Sequence, residues 1–153
     1  MSGILNTNVV TQVALIVRDI ETVKQKYAEL LGVEAPPTVT GGDFAVTGTT
    51  YNGSPAPKAG CKLAFFSVGG SLMLELIEPN GEQSTWQDHL DEKGEGLHHI
   101  AFHVKDTDGK IKAMEAFGAP LVQRGKYGDA SGEYTYFDAT KDLKCYIELL
   151  ENF

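Results

Sequence analysis

The stretch GLHHIAFHV occupies residues 96–104, and Asp106 follows it. Its last six residues resemble an earlier stretch, QVALIV at residues 12–17, which is followed by Asp19. Both the apolar stretch and the aspartate recur after 87 residues. Because self-similarity at a fixed offset is typical of duplicated architectures, we expect a fold made of two related halves.

A second pair of stretches supports the duplication. LELIE at residues 74–78 matches IELLE at residues 147–151, which puts Glu75 and Glu148 at equivalent places 73 residues apart. This spacing is shorter than the first because residues 34–60, rich in glycine and proline, lengthen the first half. We expect those residues to form a mobile flap over the mouth of a cavity, since long loops often do so at functional sites.

Each half has the pattern of a strand, a helix and then further strands. The apolar spacing predicts helices that begin at Asp19 and Asp106 and end at Gly32 and Gly118. Ser84 and Gln87 form a capping box that opens a short helix ending at Gly94. Further strands are expected at residues 61–68, 72–77, 133–137 and 145–150. The class is therefore α+β, with helices on one face of a mostly antiparallel sheet.

Alternation along the strands separates an aliphatic face from a polar one. The aliphatic face should take the helices, and it includes His98 with Ile100 and Phe102. The other face collects four polar residues at repeat-equivalent positions: Gln12, Glu75, His99 and Glu148. An amide oxygen, an imidazole and two carboxylates suit a six-coordinate divalent ion. His103 shares the face of His99 and is predicted to be a core residue or a substrate contact.

Composition limits the possible functions. The 153 residues are 42% hydrophobic and 22% charged, which suits one globular domain, and the net charge of −8 disfavours nucleic-acid or membrane binding. Two cysteines are too few for a disulfide framework, and the N-terminus has no basic or long apolar segment. We expect a cytoplasmic protein.

The residues quoted above also resemble a known family. GLHHIAFHV, the repeated strand and helix starts and the LELIEP and IELLE stretches are similar to the vicinal oxygen chelate superfamily, across nearly the whole chain. The resemblance implies a single domain over residues 1–153, with βαβββ modules at about 9–80 and 96–153. It further implies curved mixed sheets around a metal cavity, with Gln12, Glu75, His99 and Glu148 as ligands. The ion would be Co, Ni, Mn, Zn or Mg, and we expect a homodimer.

The resemblance points to proton abstraction through an enolate, and it leaves the subfamily open. GLHHIAF is most like methylmalonyl-CoA epimerases, which act on acyl thioesters, although the further inner-strand glutamate of those enzymes has no counterpart in residues 60–70. The Gln, Glu, His, Glu set resembles glyoxalase I, a lactoylglutathione lyase that acts on a hemithioacetal. Its carboxylate-binding residues would come from the cations Arg18, Lys62, Arg124 and Lys126. Extradiol dioxygenases rank lower because position 12 is Gln, and a non-enzymatic metabolite- or drug-binding protein is the further alternative.

Glu75 and Glu148 are the candidate catalytic bases. We favour Glu148, because it lies on the last strand only five residues from the C-terminus, where we expect the local movement needed to leave a metal. Glu75 would then remain the tighter ligand.

Overall fold

The computed structural model describes residues 3–153, which form one mixed sheet with its two longest helices on the outer face. The strands are β1 (Gln12–Ile16), β2 (Val39–Thr40), β3 (Thr50–Tyr51), β4 (Ser54–Pro55), β5 (Cys61–Ser67), β6 (Met73–Pro79), β7 (Gly96–His103), β8 (Leu121–Lys126), β9 (Gly132–Asp138) and β10 (Tyr146–Asn152). The helices are α1 (Ile20–Leu31), α2 (Phe44–Thr47), α3 (Thr85–Lys93), α4 (Thr107–Phe117) and α5 (Thr140–Leu143).

The strand order is β2-β5-β6-β1-β7-β10-β9-β8-β3-β4, which forms a curled half-barrel. β1 and β7, the first strands of the two halves, pair antiparallel at the centre. Each is flanked by the last strand of its own half in parallel, β6 beside β1 and β10 beside β7. The two halves therefore repeat one βαβββ arrangement, as the sequence predicts.

The helix boundaries agree with their sequence signals. Asp19 accepts a hydrogen bond from the Thr22 amide at the start of α1, and Asp106 accepts one from the Gly109 amide at the start of α4. Both helices end at a left-handed glycine. Ser84 caps α3 in the same way, through the Gln87 amide. No helix within residues 3–153 is long and apolar enough to cross a bilayer.

The aliphatic face takes α1 and α4, as expected, whereas α3 packs Trp86 into the concave face. Val17, Ile20 and Leu76 belong to the cluster beneath α1, while Met114 and Leu149 belong to the cluster beneath α4. The opposite, concave face has its own core, which contains Ala14, Ile16, Trp86 and Tyr136. Apolar packing on both sides of the sheet fixes the strand register and thereby positions the polar residues of the concave face.

Two parts of the chain differ from the pattern that sequence periodicity indicated. The sequence pattern does not predict β8, because LVQRGK is short and polar; pairing with β9 and β3 makes it a strand. Residues 34–60 contain β2, α2, β3 and β4 rather than unstructured loop. They pair with β5 at one end of the sheet and with β8 at the other, so the segment crosses the open side of the half-barrel.

Candidate metal centre

Four neighbouring strands each contribute one polar side chain to a single point on the concave face. Glu75 lies on β6, Gln12 on β1, His99 on β7 and Glu148 on β10, and these strands are adjacent in the sheet. The structure thus brings together the four residues that the sequence singles out. Glu75, His99 and Glu148 are all buried, with exposed fractions of 5%, 0% and 4%.

The ligand atoms converge within a few ångströms. His99 Nε2 lies 2.9 Å from Glu148 Oε2 and 3.8 Å from Glu75 Oε2. One ligand atom from each of these three residues lies within 4.8 Å of the others. Apart from this close contact with Glu148, Nε2 is buried and makes no well-formed hydrogen bond within residues 3–153.

The Gln12 amide completes the group. One of its two polar atoms lies 2.8 Å from Glu75 Oε2 and 3.0 Å from Glu148 Oε2. If that atom is nitrogen, it donates to both carboxylates; if it is oxygen, three acceptor oxygens face one another. The first arrangement suits a site without a cation, and the second suits one in which a cation lies between the oxygens.

The register leaves room where the four side chains meet. Ala14 on β1 lies in register between Glu75 and His99. Ala101 on β7 lies in register between Gln12 and Glu148. Because side chains in register share a face, two methyl groups form the floor on which the larger polar groups converge.

Burial and charge shift the protonation of the group. Burial, reinforced by the charge of Glu148 and opposed by His99, raises the pKa of Glu75 to about 8. Burial acts to lower the pKa of His99, but the neighbouring charges of Glu148 and Glu75 outweigh it and raise the pKa above its ordinary value. Without a cation, the group therefore retains a proton near neutral pH.

These residues fit a divalent ion. Adjacent ligands of an octahedral ion with bonds of about 2.1 Å are about 3 Å apart, which is the spacing between His99 Nε2 and Glu148 Oε2. Two buried carboxylates would balance the ion's charge, and the unpartnered Nε2 atom would gain a bond. The mixture of one nitrogen and several oxygens suits Mg²⁺, Mn²⁺, Co²⁺, Ni²⁺ or Zn²⁺.

A cavity of about 550 Å³ opens above the group. Gln12, Glu75 and Glu148 line it, whereas His99 lies fully buried below. Its other walls are mostly apolar or aromatic: Leu63, Phe65, Trp86, Tyr134 and Tyr136. Residues 39–42 of the crossing segment and residues 126–129 after β8 form part of the mouth. A polar floor within apolar walls is the usual form of a small-molecule site.

Simple strand alternation gave the wrong position for His98. His98 is fully buried beside His99, with 2.8 Å between their Nδ1 atoms, rather than on the helix face. The pairing of β1 with β7 shifts at this point, because Ala14 pairs with His99 and the next residue pairs with Leu97. His98 is thus the extra residue of a β-bulge, which redirects its side chain. In the sequence, the only sign of this arrangement is that His98 and His99 are adjacent.

His103 is neither a core residue nor a substrate contact of this cavity. It is exposed, at the far end of β7, and lines a separate surface hollow with Lys105 and Lys110. Among the expected cations, Lys126 alone lines the main cavity. Arg124 pairs with Glu133 and Asp108, and Lys62 pairs with Glu78.

Glu148 lies on a strand that is paired on both sides, whereas its place near the C-terminus predicts local movement. β10 is not a loose terminal strand: it pairs with β7 on one side and β9 on the other, through Asn152 against β9. Glu148 therefore lies on one of the better-supported strands of the sheet.

Known proteins share this architecture. The crystal structure of methylmalonyl-CoA epimerase from Mycobacterium tuberculosis is similar with a TM-score of 0.67 and 20% identity, covering 100% of this chain and 92% of that one. Streptomyces coelicolor methylmalonyl-CoA epimerase in complex with 2-nitronate-propionyl-CoA gives a TM-score of 0.64 and 20% identity, covering 94% and 96%. At such identities the likeness shows the fold alone.

Sequence comparisons agree with the fold. The chain is 34% identical over 90 residues to the uncharacterized protein YqjC of Bacillus subtilis. That match spans 58% of this chain and 64% of YqjC, less than two thirds of the relative's length. Residues 11–137 match the family model of the Glyoxalase/Bleomycin resistance protein/Dioxygenase superfamily. With this match across most of its length, the chain belongs to that superfamily.

Proposed function

We propose that the protein is a divalent-metal-dependent isomerase or epimerase that works through an enolate and is most like methylmalonyl-CoA epimerase. The observation that carries the proposal is the convergence of Gln12, Glu75, His99 and Glu148 on the floor of an otherwise apolar cavity. Buried carboxylates cost free energy unless they are paired or bind a cation, so such a group is expensive to keep without a function.

The four residues would hold one ion, with Gln12 through its amide oxygen and His99 through Nε2. A bound divalent ion would supply Lewis-acid stabilisation of negative charge on a substrate oxygen. Glu75 and Glu148 face the cavity and can take or return a proton at the carbon next to that oxygen. The apolar walls exclude water, which protects the reactive enolate and strengthens the basicity of the carboxylates.

Two carboxylates from equivalent strands suit a reaction that inverts a carbon centre. Glu75 and Glu148 come from β6 and β10, which flank the central pair of strands on opposite sides. In this proposal Glu148 removes the proton from one face of the carbon, and Glu75 returns one to the other face. The reverse reaction exchanges these roles, as an epimerisation requires.

A glyoxalase I-like activity is the second candidate. The combination of Gln12, Glu75, His99 and Glu148 favours it, together with the absence of an acid from residues 60–70. Proton return to the neighbouring carbon would then convert a hemithioacetal to a thioester with the same machinery. Lys126 at the mouth of the cavity is the available cation for a substrate carboxylate.

Proton exchange in heavy water tests the proposal directly. The protein loaded with Co²⁺, Ni²⁺, Mn²⁺, Zn²⁺ or Mg²⁺ is incubated with methylmalonyl-CoA, and deuterium at the α-carbon is followed by mass spectrometry. A parallel assay supplies methylglyoxal with glutathione and measures thioester formation. We expect exchange in the first assay. Turnover in the second alone would favour the lyase, and binding without turnover in either would indicate a sequestering protein.

A pair of histidine variants tests the metal site. We expect His99→Ala to lose both the ion and the exchange activity, because it removes the only nitrogen ligand of the four. His103→Ala is the matched control, since His103 lies on the same strand but is exposed in a separate hollow. Equal metal content in wild type and His99→Ala would contradict the assignment.

A further inference from the structure

His98 lies beside the proposed metal ligand His99 because of the β-bulge in β7. Its Nδ1 atom is 2.8 Å from His99 Nδ1, a hydrogen-bond distance between two nitrogens. One of the two must therefore carry the proton and the other must accept it. His98 is 0% exposed, so water is not available to replace either partner.

The direction of this hydrogen bond follows from the function of His99. An imidazole that offers Nε2 to an ion carries its proton on Nδ1, and a buried N–H group needs an acceptor. Nδ1 of His98 is the acceptor within reach, which puts the proton of His98 on its Nε2 atom, a buried atom that has no hydrogen-bond partner within residues 3–153. If His98 donated instead, the proton of His99 would be on Nε2, and that atom would not bind an ion.

The ring of His98 is held on several sides. Tyr146 stacks on it at a centroid distance of 4.7 Å and an interplanar angle of 28°. Tyr136 packs edge-on at 5.2 Å and also contacts His99 at 5.1 Å. His89 adds a further edge contact at 5.6 Å. These contacts restrict rotation of the ring and keep Nδ1 directed at His99.

We propose that His98 is a positioning residue that accepts the Nδ1 proton of His99 and so directs its Nε2 atom into the site as a ligand. The inference rests on the proposed function, because it assumes that His99 binds the ion. Hydrogen-bond acceptors behind metal-bound histidines typically change metal affinity by about 10- to 100-fold when removed.

Two substitutions separate the hydrogen bond from packing. His98→Phe keeps an aromatic ring between Tyr146 and Tyr136 but removes the acceptor. His98→Asn loses the ring, yet its Oδ1 atom occupies nearly the position of Nδ1. Zn²⁺ affinity is measured by competition with a chelating indicator, and folding is checked by circular dichroism and thermal unfolding.

We expect His98→Phe to bind Zn²⁺ about 10- to 100-fold more weakly than wild type. His98→Asn should recover most of the affinity even if it melts at a lower temperature. Wild-type affinity in His98→Phe, or equal loss in both variants, would overturn the proposal.

Ring-nitrogen NMR of the ¹⁵N-labelled Zn²⁺ protein gives a second readout. The proton of His99 should appear on Nδ1, and its appearance on Nε2 would overturn the proposal. Wild-type protein that binds Zn²⁺ but fails both activity assays would contradict the proposed function alone, so the two failures are distinguishable.

Discussion

Ala14 and Ala101 occupy equivalent positions on the two central strands, and each lies in register between two of the four polar residues of the site. Ala14 separates Glu75 from His99, and Ala101 separates Gln12 from Glu148. Both alanines are completely buried. The space available to an ion therefore depends on two small side chains that carry no polar group themselves.

We predict that Ala14→Val or Ala101→Val abolishes metal uptake by filling this space. Ala64→Val is the matched control, because Ala64 is equally buried but packs in the helix-side cluster with Phe66. All three should lose about 1–3 kcal/mol of stability from overpacking. Metal content by atomic emission should fall in the first two only. A full complement of metal in Ala101→Val would show that the ion does not need the space left by this alanine.

The metal-free protein should become less stable as pH rises. Since burial raises the pKa of Glu75 to about 8 from an ordinary 4.5, the folded state keeps a proton that the unfolded state releases. This stabilisation is complete below about pH 4.5 and is lost as pH rises through about 8. Melting temperatures from pH 5 to 9 should show the decline, and Glu75→Gln should reduce it. An identical decline in Glu75→Gln would assign it to another group.

Metal binding should show the opposite dependence on pH. An ion displaces the proton that the group retains, so affinity should rise with pH and binding should release protons near neutral pH. Calorimetry in buffers of different ionisation enthalpy measures the number released. Binding enthalpies that do not vary with the buffer would contradict proton retention at Glu75 and His99.

Removing a base should separate catalysis from binding. Glu148→Gln keeps an oxygen ligand and removes most of the basicity, so we expect turnover to fall by about 10²- to 10⁴-fold. Metal content should change far less. Glu75→Gln is the paired variant: if it abolishes turnover while Glu148→Gln retains it, the roles are reversed. Full activity in both would assign the proton transfer to another group.

We predict that substitution of Gly42 changes the shape of the cavity mouth. Gly42 has a φ of +101°, and a Cβ atom there would lie 2.6 Å from the Gly128 Cα atom, so Gly42→Ala should push the crossing segment away from residues 126–129. We expect a higher KM with kcat little changed. Gly41→Ala is the control, because its Cβ would meet Cys61 Sγ at an ordinary 3.7 Å. Equal KM values in both variants would show that this contact does not shape the site.

Much of this protein could be predicted from the sequence because its fold is a duplication. The offset of 87 residues identified equivalent strands, and Asp19 and Asp106 marked the helix starts through local capping. Alternation in these strands and in the pair that carries Glu75 and Glu148 put Gln12, Glu75, His99 and Glu148 on one face. Local hydrogen bonding and period-two geometry act over a few residues, so a single sequence displays them directly. The expected mobility of residues 34–60 is still a prediction.

Other features depended on contacts between distant segments. β8 is a strand because β3 and β9 pair with it, although its own residues have little strand preference. The support of β10 on both sides was not visible in its position near the C-terminus. His98 reaches its position because the pairing of β7 with β1 shifts next to Ala14. The sequence of one strand alone does not encode such a shift. Sequence periodicity therefore determined that Gln12, Glu75, His99 and Glu148 share one face of the sheet, whereas strand pairing decided how they meet, because register is a property of two strands together.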